Sequence, residues 1–232
     1  MIDLAANLSY VRERVNRAAT RAGRNPDEIK LVAVSKMHSV AILTEAIEAG
    51  IEIFGENKVQ EAESKINSIG RDKAEWHLIG HLQSNKARKA VQLFDVIHTI
   101  DSVDLAMRLD RICDNLGRAE LSVFVQVDLA REETKSGVAE DELPELVDVL
   151  VTSPHLRFDG LMILPPYFDV PDDVRPFFRK LREIRERLAK ENAFANGRGE
   201  LSMGMSHDFE IAIEEGATVI RVGTAIFGER NR

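Results

Sequence analysis

The fold this 232-residue chain predicts is α/β: a closed (β/α)8 TIM barrel with one extra helix at the N-terminus. Three observations lead there. Eight short apolar runs alternate with amphipathic helical stretches along the whole chain. The runs are apolar at almost every position, as parallel strands covered on both faces must be. No Gly-x-Gly-x-x-Gly follows the first strand, so the signature of an open doubly wound sheet is missing.

The extra helix carries Leu4, Leu8, Val11, Val15 and Ala18 on one stripe and stops ahead of Gly23 and Pro26. Strand 31–35 (LVAVS) then leads into a helix over 39–49, which Gly50 ends. Strand 51–54 (IEIF) precedes a helix over 56–68, and strand 76–80 (WHLIG) one over 83–92. Strand 96–100 (VIHTI) is followed by a helix over 102–116, capped by Ser102, faced by Leu105, Leu109, Ile112 and Leu116, and stopped by Gly117. Strand 122–128 (SVFVQVD) precedes a helix over 140–152, and strand 158–163 (FDGLMI) precedes one over 172–194. That last helix starts behind Pro171 and aligns Val174, Phe177, Leu181, Ile184 and Leu188. Strand 200–203 (ELSM), a helix over 206–215 ended by Gly216, and strand 218–223 (TVIRVG) complete the series. No linker, repeat or low-complexity segment interrupts it, so residues 1–232 read as one domain.

Composition narrows the function. With 44% apolar residues the chain can bury a large core, and with 30% charged residues and a net charge of -8 it has no general affinity for nucleic acid or an anionic membrane. The cluster Lys86, Arg88, Lys89 reads as a solvated helix face. Cys113 stands alone, which excludes a disulfide framework and a cysteine metal site. The start, Met1 to Leu4, lacks a signal-peptide core, and no apolar run reaches the ~20 residues of a membrane span. A cytoplasmic protein is expected.

Active sites of such barrels lie at the C-terminal ends of the strands. Those ends hold Lys36; Gly55, Glu56 and Asn57; His77 and His81; Asp101; Asp128; Pro165; Ser202 to Ser206; and Gly223 with Thr224. Lys36 is a single amine at the end of an apolar strand. A lysine beside other cations there can have a lowered pKa and so present the neutral form that attacks an aldehyde. Arg221 alternates with Val219 and Gly223 on one face, so its guanidinium lies within a barrel strand and needs a partner. A strand-end carboxylate such as Asp128 is one candidate. The nitrogen of a pyridine ring is the other, and a permanently charged arginine there would keep that nitrogen unprotonated.

Ser206 reads as the cap of the 206–215 helix, placing its hydroxyl and first-turn amides where an anion could sit. Gly223 permits close backbone approach and Thr224 adds a hydroxyl and an amide, the phosphate position common in these barrels. An ordinary capped helix with a tight turn is the competing reading. One reactive amine and one phosphate cradle at the same mouth suit a phosphorylated aldehyde cofactor, and pyridoxal 5'-phosphate (PLP) is the candidate. His77, His81 and His207 are too dispersed for a zinc site, and no metal is expected.

The motifs AVSK at 33–36, FGENKVQE at 54–61, WHLIGHLQSNK at 76–86, HTIDS at 98–102, KSG at 135–137, LSMGMSHDFEIAI at 201–213 and IRVGTAIFG at 220–228 run nearly end to end. Together they resemble the pyridoxal phosphate homeostasis protein family. The resemblance implies a fold-type III PLP-binding barrel related to the N-terminal domain of alanine racemase. It implies that Lys36 holds PLP as an internal aldimine, that Arg221 faces the pyridine nitrogen, and that Ser206, Gly223 and Thr224 hold the phosphate. Asn57 and His77 would line the pocket and Ser202 would add a phosphate contact. Lys135 matches a position that in some homeostasis proteins is linked to a second PLP site, a plain loop lysine being the other reading.

Racemases of this fold carry a further C-terminal β-domain that contributes a catalytic tyrosine across a dimer, and no counterpart follows the last barrel strand here. Two-base racemisation needs a proton acceptor on each face of the substrate carbon, and Lys36 serves one. The resemblance therefore implies a monomeric protein of vitamin B6 homeostasis without established turnover. Its partners would be PLP and PLP-dependent apoenzymes, and its effects on amino-acid metabolism indirect. A weak amino-acid racemase or α-proton exchange enzyme is the alternative. A Lys36 Schiff base on a phosphorylated sugar is a third reading.

Overall fold

A computed structural model describes residues 3–130 and 136–229. Eight parallel strands close on themselves: β1 (Lys30–Val34), β2 (Ile53–Glu56), β3 (Glu75–Leu78), β4 (Val96–Ile100), β5 (Leu121–Asp128), β7 (Leu156–Met162), β8 (Glu200–Ser202) and β9 (Val219–Val222). Each pairs with its neighbours in that order; β4 pairs with β5 and β9 returns to β1, completing the ring. The barrel expected from the alternating pattern is therefore present. A two-residue strand, β6 (Val138–Ala139), adds to the end of β5 outside the ring. Two residues give too little pattern to be read from sequence.

The outer helices are α2 (Val40–Glu48), α3 (Val59–Ile69), α4 (Ala87–Leu93), α5 (Val103–Leu116), α6 (Leu143–Thr152), α7 (Arg175–Lys190) and α8 (Phe209–Glu214). Ser39 and Ser102 cap α2 and α5 by accepting from Ile42 N and Leu105 N. Gly117 ends α5 at φ 67°, a left-handed conformation that glycine takes without the Cβ clash of other residues. Two helices start later than expected because 3-10 turns at 84–86 and 171–174 precede α4 and α7.

The N-terminal helix, α1 (Leu4–Arg21), packs against α8, α2 and the short α9 (Thr224–Phe227). Four residues of α9 cannot cover the outside of the β9–β1 pair, and α1 supplies the missing cover with Leu4, Leu8, Val11, Val15, Ala18 and Ala19. Asn7 Nδ2 donates to Ile226 O at 2.9 Å and Arg24 Nη1 donates to Ala217 O at 2.7 Å. Arg14 donates twice to the Glu210 carboxylate, at 3.2 and 2.8 Å, which ties α1 to α8.

The apolar residues form two layers. The larger lies between the strands and the helices and includes the only tryptophan, Trp76, stacked on Phe54 at 5.3 Å. The smaller lies inside the barrel: Val32, Val96, Phe124, Met162 and Val219. Buried polar side chains, among them His77, His98, Ser202 and Arg221, lie beside this plug. Among the described residues, no helix is long and apolar enough to cross a membrane, and no group of three His, Cys, Asp or Glu could hold a metal.

Candidate functional site at the C-terminal mouth

On β1, Val32 belongs to the inner layer, and an added Cβ on Gly223 would lie 3.3 Å from Val34 Cβ. Even-numbered residues of β1 thus face inward, and Lys36 follows the last of them, Val34, by two residues, in the turn that leaves the strand. Ala33 pairs with Val222, which sets Val34 beside Gly223 and Lys36 two residues further on. The amine-bearing residue and the Gly223–Thr224 turn therefore occupy adjacent strand ends at one mouth.

A buried ionic cluster holds the backbone on both sides of Lys36. Lys65 Nζ, on the inner face of α3, donates to Glu56 Oε1 at 2.6 Å, to Glu61 Oε1 at 2.7 Å and to Ser35 O at 2.7 Å. Ser35 Oγ donates to the same Glu56 oxygen at 2.6 Å, and the Met37 amide donates to Glu61. Met37 is left-handed, at φ 67°, a conformation costing a non-glycine residue on the order of 1–2 kcal/mol. The hydrogen bond that the Met37 amide donates to Glu61 opposes that cost. Burial pushes the Glu56 carboxyl above its ordinary range, and Lys65 and Ser35 pull it back only in part. Burial would raise Glu61 too, but Lys65 and the Met37 amide outweigh it and the net shift is downward. This cluster was not foreseen from the sequence, although Glu61 and Lys65 stand one helical turn apart and Lys65 shares a face with Ala62 and Ile66.

Arg221 is fully buried and donates from Nη1 to Ser202 Oγ at 2.7 Å and from Nη2 to Ile163 O at 2.8 Å. Neither partner is charged. Burial lowers the guanidinium to about 10, with Asp208 opposing the shift, so Arg221 is a cation at neutral pH. The carboxylate that acts on it is thus Asp208, in place of the Asp128 considered from sequence.

Ser206 does not cap α8, which begins at Phe209 behind Asp208. Its Oγ instead accepts from Gly223 N at 3.2 Å and from Ala225 N at 3.3 Å. Two backbone amides at the start of α9 thus converge on one oxygen, which is the arrangement an anion oxygen requires. Thr224 is exposed beside them. The expected phosphate residues are brought together, by a turn and a short helix that the sequence pattern did not reveal.

Two expected residues lie elsewhere. Ser202 is completely buried, its hydroxyl shared between Arg221 and His98, so it is not placed to contact a phosphate. His77 faces inward but bonds to Glu75 Oε1 at 2.8 Å and lines a cavity of about 250 Å3 at the opposite, N-terminal mouth. His77 is the third residue of β3 (Glu75–Leu78), and it is its bond to Glu75, at the start of the strand, that holds its ring toward the N-terminal mouth. Asn57 follows β2 and packs tightly against Gly80, where a Cβ would lie 2.3 Å from Asn57 O. Lys135 falls outside the described residues.

Comparison with known proteins gives consistent results. The family model described as alanine racemase, N-terminal domain, matches residues 6–231. A pyridoxal phosphate homeostasis protein of Aquifex aeolicus is 42% identical over 223 residues, covering 96% of each chain. One of Escherichia coli is 42% identical and covers all of this chain and 98% of the relative. PipY of Synechococcus elongatus, solved with PLP bound, superposes with a TM-score of 0.82 at 39% identity, covering 97% of this chain and 100% of PipY. Alanine racemase of Corynebacterium glutamicum shares the fold, with a TM-score of 0.67 at 19% identity over 61% of its length.

Proposed function

From the premise that this chain belongs to the pyridoxal phosphate homeostasis protein family, we propose that it binds PLP at the C-terminal mouth of its barrel and takes part in vitamin B6 homeostasis. The observation that carries this reading is the juxtaposition of Lys36 with two amides already converging on one oxygen.

The residues fit the cofactor. Gly223 and Ala225 amides, the Ser206 hydroxyl and Thr224 would hold the phosphate, and α9 would direct its N-terminal amides at the charge. When bound, the cofactor supplies an aldehyde that condenses with primary amines. Lys36 presents such an amine. Arg221 would donate toward the ring nitrogen; a cation with donors only cannot accept a hydrogen bond from a protonated ring nitrogen and repels its charge, so it favours the unprotonated form. Asn57, at the end of the neighbouring strand β2, would border the ring. Lys65, Glu56 and Glu61 hold the backbone at Ser35 and Met37 and so would fix the residue between them, Lys36, at the mouth.

An amine linkage suits a reversible carrier because another amine can displace it. We assign the chain, as a cytoplasmic monomer, the role of holding PLP and releasing it to apoenzymes. Purified protein loaded with PLP and mixed with a PLP-dependent apoenzyme should restore activity faster than cofactor lost to a trapping amine would allow. Restoration no faster than that loss would refute delivery. Exchange of the α-hydrogen of an amino acid in deuterium oxide, at many turnovers per protein, would instead establish an enzyme.

A further inference from the structure

We propose that Glu75, His77, His98 and Ser202 form a one-directional hydrogen-bond relay through the barrel interior that positions Arg221 for the cofactor's ring nitrogen. The inference rests on the PLP reading for its cofactor end only. The links are Arg221 Nη1 to Ser202 Oγ at 2.7 Å, Ser202 Oγ to His98 Nδ1 at 2.9 Å, His98 Nε2 to His77 Nδ1 at 2.9 Å, and His77 Nε2 to Glu75 Oε1 at 2.8 Å. Five side chains from four strands, β9, β8, β4 and β3, thus form an unbroken chain.

The chemistry of the two ends fixes the direction of every link. A guanidinium has donors only and a carboxylate acceptors only, so Ser202 Oγ accepts from Arg221 and, with both rings neutral, Glu75 takes the proton of His77 Nε2, His77 Nδ1 that of His98 Nε2, and His98 Nδ1 that of Ser202 Oγ. A neutral imidazole that accepts at Nδ1 carries its proton on Nε2, and His98 therefore donates to His77 Nδ1. By the same rule His77 donates from Nε2 to the Glu75 carboxylate. Burial holds His98 well below its ordinary range, helped by repulsion from His77, Arg221 and Lys30, so that ring is neutral. His98 is fixed flat against Phe124, with centroids 4.5 Å apart and planes 1° from parallel.

The relay accounts for a buried cation whose two hydrogen-bond acceptors are both neutral. It lines up the Ser202, His98 and His77 dipoles behind Arg221 and ends them on a carboxylate at the lip of the N-terminal cavity. Glu75 is half-exposed there, beside Lys30 and Arg157, so it can be changed with little cost to the core. Without the relay, the Ser202 hydroxyl turns freely and Arg221 loses its fixed acceptor.

Two measurements test this. Nitrogen NMR of histidine-labelled apo-protein at pH 7.5, roughly a unit above the free imidazole value, should find His77 and His98 both protonated on Nε2 only. A proton on Nδ1 of either ring would overturn the relay, whatever the protein binds. In the second, PLP is titrated into wild-type, Glu75→Leu, Glu75→Gln and His98→Phe proteins while its absorption is followed. Glu75→Leu and His98→Phe should shift the bound absorption maximum and weaken binding about tenfold or more, as expected for losing a hydrogen bond to a charged group. Glu75→Gln keeps an acceptor for His77 and should restore both. Wild-type spectrum and affinity in Glu75→Leu would overturn the positioning role, even if His98→Phe fails to fold. Absence of PLP binding by wild type would refute the functional reading and with it the positioning role, leaving the NMR result to decide the relay.

Discussion

Replacing Lys65 with methionine should destabilise the protein by about 3–4 kcal/mol at pH 7, and the loss should shrink as the pH falls. Lys65 Nζ is the only cation among the hydrogen-bond partners of Glu56, whose side chain is wholly buried and whose Oε2 already has no partner among the described residues. Removing one member of a buried pair leaves an uncompensated charge, which costs about 3–5 kcal/mol. Protonation of Glu56 limits that cost: neutralising a carboxyl of ordinary pKa ~4.3 at pH 7 takes about 3.7 kcal/mol. The sign follows. In the variant, burial holds the folded-state pKa above the unfolded value, so the folded state keeps a proton that the unfolded state gives up. That contribution is complete below pH ~4.3 and is lost at about 1.4 kcal/mol per unit as the pH rises toward the folded value. Urea unfolding followed by Trp76 fluorescence at pH 5 and pH 7 measures it, since Trp76 is buried and is the sole tryptophan. A loss below about 1 kcal/mol at pH 7, or one that grows on acidification, would refute the reasoning.

Three further outcomes are expected. The Cys113 thiol, buried in α5 and pushed up to about 11 by burial, should resist a thiol-specific reagent at pH 8 until denaturant is added; rapid reaction of the native protein would contradict its placement. Arg14→Ala should cost about 1 kcal/mol at pH 7, as a partly buried bidentate pair. Hydrogen bonds from Arg14 depress Glu210, so this contribution is present above the unfolded carboxyl value and disappears as the pH falls through the folded one; wild type and variant should converge in acid. Gly80→Ala should destabilise by about 3 kcal/mol or more and weaken PLP binding, because its Cβ would meet the Asn57 backbone. Unchanged thermal unfolding would show that the contact relaxes freely.

Much of the fold was legible because a parallel barrel writes its strands as apolar runs and its helices as stripes. The Lys36 and Gly223 positions were legible for the same reason: strand parity and the site end of a barrel are both local signals. The partners of Ser206 were not legible. Its pattern reads as a helix cap, whereas its oxygen serves amides at residues 223 and 225, a contact across 17 to 19 positions. The surroundings of His77 and Ser202 were not legible, because parity gives the face of a strand but not the partners, Glu75 for one and Arg221 with His98 for the other, that occupy the side chain there. His98 and Lys65 were missed because each gains its meaning from partners on other elements, and a single histidine in an apolar run or a lysine in a helix gives no sign of them.

The central claim, that Lys36 and the Ser206–Thr224 cradle serve one PLP molecule, is tested most directly by fixing the bound cofactor with borohydride and mapping the modified peptide by mass. The account predicts a single phosphopyridoxyl group on Lys36, lost in Lys36→Ala and reduced in a Ser206→Ala, Thr224→Val double variant. Attachment to another lysine, or labelling of Lys36 indifferent to the loss of Ser206 and Thr224, would contradict it.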